Sequence, residues 1–263
     1  GSLIRTSQKM HVTQSTITAR LKTLEDELGQ TLLIRKKSGV VLTPTGVRLL
    51  NYARIMTGLW RQAKYETNLP KGMDSVCTFG CNRELWHGLG RAFFLGAISE
   101  HREIAITVRQ GSNHDLEHWL STGLVDVVLT FDKFARNAQT MYPLPAENLK
   151  LYSSKKNTPV KGDPHYIFVD HGNEYRKAHA EFYHDSGVAR LNFNSSWWAL
   201  QHILEYGGSA YLPQELAISF VKQNKIFELK QAPVFKRNRC LIVNDFTSQN
   251  WPWFPKLVHQ LSV

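Results

Sequence analysis

Three cysteines in 263 residues, Cys77, Cys81 and Cys240, are too few and too irregularly spaced for a zinc site or a Cys-x-x-Cys redox pair. Buried free thiols are the expectation and a redox switch the alternative. No run of about 18 apolar residues of the kind that spans a bilayer occurs and nothing reads as a secretory leader, so a cytoplasmic chain without membrane contact is expected. A glycine-rich phosphate loop, a nucleophile elbow and a paired-acid motif are all missing, so neither an enzyme nor a bound cofactor is expected. Among the eleven histidines there is no helical His-x-x-x-His beside a third ligand. His171, followed by Gly172-Asn173-Glu174, is the lone metal candidate, and no metal is expected. Acidic residues are scarce in one region: residues 1–72 carry four against twelve Lys and Arg, net +8, while the rest carry eighteen against twenty, net +2, which together make the total of +10. A basic first quarter on a near-neutral remainder suits a polyanion-binding head joined to a separate sensing body.

The head has a recognisable pattern. Ile17, Leu21, Leu24 and Leu28 recur at steps of four, three and four, which predicts one apolar stripe on a helix bounded by Thr13 as N-cap and Gly29 as stop. The residues off that stripe are small, amide-bearing or basic, types that fit a major groove: Gln14, Ser15, Thr16, Thr18, Arg20 and Lys22 are the candidates for DNA contact. After Gly29, two β-prone runs, Leu32 to Ile34 and Val40 to Thr43, flank Arg35-Lys36-Lys37-Ser38-Gly39, the pattern of a hairpin with a cationic tip. Arg35, Lys36 and Lys37 are the expected phosphate clamp, since backbone neutralisation supplies affinity while base edges supply specificity.

These residues resemble the LysR-type transcriptional regulators. The resemblance rests on Gln14, Leu24 with Glu25, Leu28 with Gly29, Arg35, and Leu42-Thr43 with Gly46, all at fixed spacing within V-T-Q-S-T-I-T-A-R-L-K-T-L-E-D-E-L-G, L-L-I-R-K and L-T-P-T-G. Weaker matches are Leu116 to Thr130, Leu149 to Ser153 and Ala199 to Pro213, so the likeness spans most of the chain. Ser15 and Ala19 depart from the family's frequent Pro and basic residue, and no base preference carries over. The family has a further helix before the Gly-Ser segment, so the chain reads as lacking its first helix, with Gly1-Ser2 either native or a cloning remnant.

The resemblance implies an α/β protein: a winged helix-turn-helix head (1–44), a linker helix and hinge (45–72), and a two-lobed, periplasmic-binding-protein-like effector domain (73–263). Lobe I would take 73–150 plus 233–263 and lobe II 151–232. From Thr45 to about Asn68, Leu49, Ala53, Met56 and Trp60 repeat as a narrow seam, which expects a partner helix in a homodimer or tetramer, with packing on its own domain as the alternative. Leu69-Pro70-Lys71-Gly72 reads as the hinge. Strands over Ser75 to Cys81, Ile104 to Gln110 and Val125 to Thr130 alternate with helices over Arg83 to Glu100 and Asp115 to Thr122, predicting a mainly parallel sheet.

In such sheets a ligand sits off the strands' carboxyl ends, near helix N-termini. The candidates for a small-molecule effector are therefore Asn82 and Arg83, Ser112 and Asn113, Thr130 and Phe131, and Asn194, Ser195 and Ser196. Each is also a type that caps helices and fills turns. Trp197, Trp198, Trp251 and Trp253 suit an aromatic site, a core or an oligomer interface. The leading expectation is a sequence-specific, nucleoid-associated DNA-binding regulator with a small-molecule effector. The alternatives are a cytosolic carrier or enzyme of the periplasmic-binding fold, and a ligand-free architectural DNA binder, for which a body of about 190 residues is oversized.

Overall fold

The structure is a computed structural model and describes residues 1–36, 39–67, 69, 71–136, 138–184 and 189–262. The chain divides into two compact units, a head of Gly1–Lys64 with Ser121–Gly123 and a body of Tyr65–Leu120 with Leu124–Val263.

In the head, α1 (Leu3–Lys9) precedes α2 (Gln14–Leu28). Thr13 caps α2 by accepting from the Thr16 N–H, and Gly29 ends it at φ +64° in the left-handed region that glycine favours. Of the apolar stripe, Ile17 is buried and Leu21 half-buried, but Leu24 and Leu28 are exposed, so the stripe packs only at its N-terminal end. The wing pairs β1 (Leu33–Lys36) with β2 (Gly39–Leu42) antiparallel. Arg35 and Lys36 therefore lie on a strand rather than in the connecting tip, and Lys37 and Ser38 fall outside the described residues. Thr43 caps α3 (Pro44–Glu66) by accepting from the Gly46 N–H at 2.9 Å. A Cβ at Gly46 would overlap the Leu32 carbonyl, which explains glycine there. Asn68, the expected end of the linker helix, and Pro70 of the expected hinge lie outside the described residues.

In the body, β3 (Ser75–Asn82), β4 (Ile104–Gly111) and β5 (Val127–Thr130) pair in parallel, with α4 (Arg91–Glu100) and α5 (Asn113–Ser121) between them in sequence. The 15-residue β6 (Gln139–Ser153) follows. Next come β7 (Ile167–Val169), α6 (Asn173–Phe182), β8 (Leu191–Phe193), α7 (Ser196–Tyr206), β9 (Ser209–Pro213), α8 (Gln214–Lys222) and β10 (Phe227–Glu228). The chain returns through β11 (Phe235–Asn244) to α9 (Asp245–Ser248) and α10 (Phe254–Ser262). The main sheet runs β10-β6-β11-β5-β3-β4, with β9 also on β6.

That sheet is mixed rather than mainly parallel. Every pairing made by β6 and β11 is antiparallel, because the chain reaches the second lobe along one long strand and comes back along its neighbour. Leu149 to Ser153, one of the weaker stretches of family likeness, is the far end of β6.

Strand alternation sorts side chains onto two faces of each lobe. In lobe I, Val127, Leu129, Leu241 and Val243 pack with α4 and α10 through Phe93, Phe254 and Leu257, while Val128, Cys240 and Ile242 pack with Leu116 and Leu120 of α5. Trp251 and Trp253 belong to the first of these cores. In lobe II, Tyr152, Ala210 and Leu212 face α7 and α8, and Leu149, Leu151 and Tyr211 face Tyr175 of α6. All three thiols are buried and unbridged, and burial pushes Cys77 well up, Cys81 up to about 12 and Cys240 up to about 11. No described helix is long and apolar enough to cross a membrane.

The segment expected as one helix from Arg83 to Glu100 is broken. A 3-10 turn (Arg83–Leu85) and a π turn (Trp86–Gly90) precede α4, and Gly88 leaves helical geometry at φ −115°, ψ −108°. A Cβ at Gly88 would overlap the Glu215 carboxylate, and one at Gly90 would stand 2.7 Å from Cys81 Sγ and 3.0 Å from the Leu85 carbonyl oxygen. Gly90 has ordinary helical angles, so in isolation alanine would be favoured there by about 1 kcal/mol. Gly90→Ala is instead expected to destabilise the body by about 1–3 kcal/mol through overpacking against Cys81. A urea midpoint that stays put or rises would show that this packing gives way at no cost.

Candidate functional site

The head presents one polar helix face. At about 100° per residue, Gln14, Ser15, Thr18 and Lys22 share a sector of α2, whereas Thr16 and Arg20 lie roughly a third of a turn away. Gln14, Ser15, Arg20 and Lys22 are exposed and Thr16 and Thr18 half-buried. The Thr13 hydroxyl lies 2.8 Å from both Ser15 Oγ and Thr16 Oγ1, so these two hydroxyls also serve the helix cap. Arg35 and Lys36 are exposed on β1. Glu25 binds helix to wing: its Oε1 accepts from Leu32 N at 2.6 Å and Leu33 N at 3.1 Å. On α3, Leu49 and Ala53 are half-buried, while Tyr52, Met56 and Trp60 stand 66%, 57% and 65% exposed, a stripe of apolar surface left bare.

The body holds a cleft of about 1140 Å³. Eight of the nine residues expected there line it: Asn82, Arg83, Ser112, Asn113, Phe131, Asn194, Ser195 and Ser196. Thr130 is fully buried behind the cleft wall: its Oγ1 accepts from Asp132 N at 3.3 Å and donates to Asn113 Oδ1 at 3.0 Å, which also accepts from Asn82 Nδ2 at 2.6 Å. Asn82 Oδ1 in turn accepts from Glu84 N, capping the following turn. Ser112 caps α5, with its N–H and hydroxyl both donating to Asp115 Oδ2, and the hydroxyl and amide of Ser112 hold that carboxyl below its usual range. The ends of α5, α6 and α7 that line the cleft are all N-terminal, and Gly172 and Ser195 make no side-chain cap on α6 and α7. Helix N-termini gathered in this way favour an anionic group.

Several further cleft residues were not among those expected from strand ends. His171 donates from Nε2 to the Tyr211 carbonyl at 2.9 Å, which leaves Nδ1 as a buried acceptor with no partner among the described residues. Burial and then the Arg237 charge push its pKa down to about 3, so the ring is neutral. Among the described residues no group of three or more His, Cys, Asp or Glu side chains stands ready to hold a metal at His171, the metal candidate of the sequence. Arg237 stacks its guanidinium 3.6 Å from the Phe131 ring centroid and donates twice to Glu147 Oε2, at 2.8 and 2.5 Å. Burial raises the Glu147 carboxyl, with Arg237 opposing. Glu84 accepts from Ser196 N at 2.9 Å, and Trp197 stacks on His87 with centroids 4.9 Å apart. The available signal was the paired arginines Arg237 and Arg239 close together on one strand. Arg239 makes a bidentate pair with Glu215 at 2.7 and 2.9 Å.

Residues 1–47 match the family described as "Bacterial regulatory helix-turn-helix protein, lysR family". The HTH-type transcriptional regulator HdfR of Yersinia pestis (strain Pestoides F) is 24% identical over 221 residues, covering 80% of this chain and 75% of that protein. Among solved structures, ArgP of Mycobacterium tuberculosis superposes with a TM-score of 0.67 at 16% identity, covering 100% of this chain and 92% of its own. Full-length LysG of Corynebacterium glutamicum, with bound effector Arg, gives 0.65 at 16% identity, covering 100% and 93%. The fold is thus that of full-length regulators with an N-terminal helix-turn-helix.

Burial of His171 makes stability depend on pH. Its folded pKa lies below the ordinary 6.5, so its contribution is complete above pH 6.5 and is lost as pH falls toward about 3; His179, pushed down to about 4 by burial, adds in the same direction. One such proton contributes at most about 1.4 kcal/mol per pH unit. Urea titrations between roughly pH 7 and 4 are expected to show a slope that His171→Gln reduces by about one proton. An unchanged slope would mean that the ring titrates in place.

Proposed function

We propose that this chain, a LysR-type transcriptional regulator, reads an operator with α2, clamps its phosphates with the wing, and is controlled by a small molecule held in the cleft between its lobes. The observation that carries the reading is the union of a lysR-family head, with its polar face of exposed Gln14, Ser15 and Lys22 and half-buried Thr18, and a body cleft lined by helix N-termini. On the head, Gln14, Ser15 and Thr18 are assigned to base edges, with Thr16, Arg20 and Lys22 toward the flanking backbone. Arg35, Lys36 and Lys37 are assigned to phosphate. The α3 stripe of Leu49, Ala53, Met56 and Trp60 is assigned to a second copy, since bare Met56 and Trp60 on a long helix gain most by pairing. Two paired heads suit a partly palindromic site.

In the cleft, Asn82, Arg83, Ser112, Asn113, Phe131, Asn194, Ser195 and Ser196 are assigned to the effector together with His171 and Arg237, and Thr130 to holding Asn113 in place. The N-termini of α5 and α6 and the exposed Arg83 favour an effector bearing a negative group, while His171 Nδ1 calls for a hydrogen-bond donor on the same molecule. A ligand with both features, as the Arg bound in LysG has, suits such a wall. The protein acts in the cytoplasm on the nucleoid and carries out no reaction.

Selection of bound genomic fragments by the full chain would supply an operator and its half-site pattern. On that operator, Arg35→Ala with Lys36→Ala is expected to weaken all sequences by a similar factor and to lower the slope of log affinity against log salt by about 1 per lost contact. Gln14→Ala is expected to change the preferred base at one position at a cost of about 1–3 kcal/mol. If Gln14→Ala lowers affinity equally for every sequence, α2 is not the reading helix.

A further inference from the structure

The N-terminus of α7 is capped from a distance. Ser195 occupies the N-cap position and is of a type that usually turns its hydroxyl onto the first free N–H groups, yet its side chain makes no such bond. The N–H of Ser196 donates instead to Glu84 Oε2 at 2.9 Å, 112 positions earlier in the chain and in the other lobe. Beside it the Ser196 hydroxyl, on a residue 1% exposed, has no hydrogen-bond partner among the described residues. His87, on the π turn that follows the turn of Glu84, stacks on Trp197 and brackets the contact.

A carboxylate at the first turn of an 11-residue helix is where an anionic ligand would be held, by the N–H groups and the positive end of the helix dipole. Here the carboxylate belongs to the chain. Its fit is incomplete, because one donor in reach of the same helix end, Ser196 Oγ–H, is left unused although burial makes an unused donor costly. A free carboxylate could accept from both Ser196 N and Ser196 Oγ, whereas Glu84 has the advantage of being tethered at high effective concentration.

We propose that Glu84 is a resident occupant of a carboxylate subsite at the α7 N-terminus, and so determines which effectors the cleft admits. A ligand's carboxylate gains this helix end only by displacing Glu84, and displacement breaks a bond between the two lobes. Anions that cannot compete are confined to the remaining N-termini. The proposal rests on the reading of the cleft as the effector site.

The test uses the full chain and sodium acetate, with equal sodium chloride as the ionic control, and reads the thermal midpoint alongside tryptophan emission. For the wild type, acetate and chloride are expected to act alike. Glu84→Ala is expected to lower the midpoint and to gain an acetate response that restores it, with half-saturation about tenfold or more below any response of the wild type. Glu84→Gln, which keeps the shape but offers only a neutral acceptor, is expected to fold like the wild type and gain a weaker acetate response. Adding Ser196→Ala to either variant is expected to abolish that gain. If neither Glu84 variant gains a response, or if both respond as the wild type does, Glu84 is not the occupant of an anion subsite. A metabolite that still shifts the wild-type midpoint in that event would keep the cleft as the effector site and remove only Glu84 from it.

Discussion

The antiparallel pairing of β6 with β11 is the constraint on which the body depends. Gln139 of β6 faces Asn244 of β11 at one end of the register and Leu149 faces Phe235 at the other, so one pair of hydrogen-bonded strands serves both lobes. The lobes are therefore joined through backbone bonds shared by both cores and cannot part without disturbing them. Between Arg237 and Arg239 the register shifts by a bulge, and bulges re-aim the side chains next to them. One guanidinium goes to Glu147 and the Phe131 face, and the other goes to Glu215 on α8. The bulge thus converts a strand crossing into two separate ion pairs, one of which lines the cleft.

Those ion pairs specify geometry more than they add stability. Glu147 is 2% exposed and its carboxyl is raised by burial even with two arginines near it, so its desolvation outweighs the attraction. What the pair does secure is the plane of Arg237, stacked on Phe131 and fixed by two bonds to one oxygen. A wall residue held that firmly presents its remaining N–H groups to the cleft without loss of side-chain freedom on binding.

The parts legible in the sequence are those set by local chemistry. Thr13, Gly29 and Thr43 announce helix ends because capping and left-handed turns require those types wherever they occur. Asn82, Ser112, Asn113 and Ser196 could be placed on the cleft wall because parallel strands deliver their following turns to one edge of the sheet. The broken helix before α4 was not legible, since its cause is Glu215 and Cys81 approaching Gly88 and Gly90 from elsewhere in the fold. Arg35 and Lys36 read as a tip because charge marks exposure but does not mark where a strand ends. His171, Arg237 and Glu84 come from distant stretches of chain to line one cleft, and no spacing along the sequence records that.

Glu25 ties α2 to the wing. One of its oxygens holds the first two amides leading into the wing, while its own backbone belongs to α2. On the proposed reading, this carboxylate fixes helix and wing as a single jaw. A signal from the rest of the protein would then act on where each jaw is placed rather than on the shape of its grip, and the letters read and the distance between readings become separate traits.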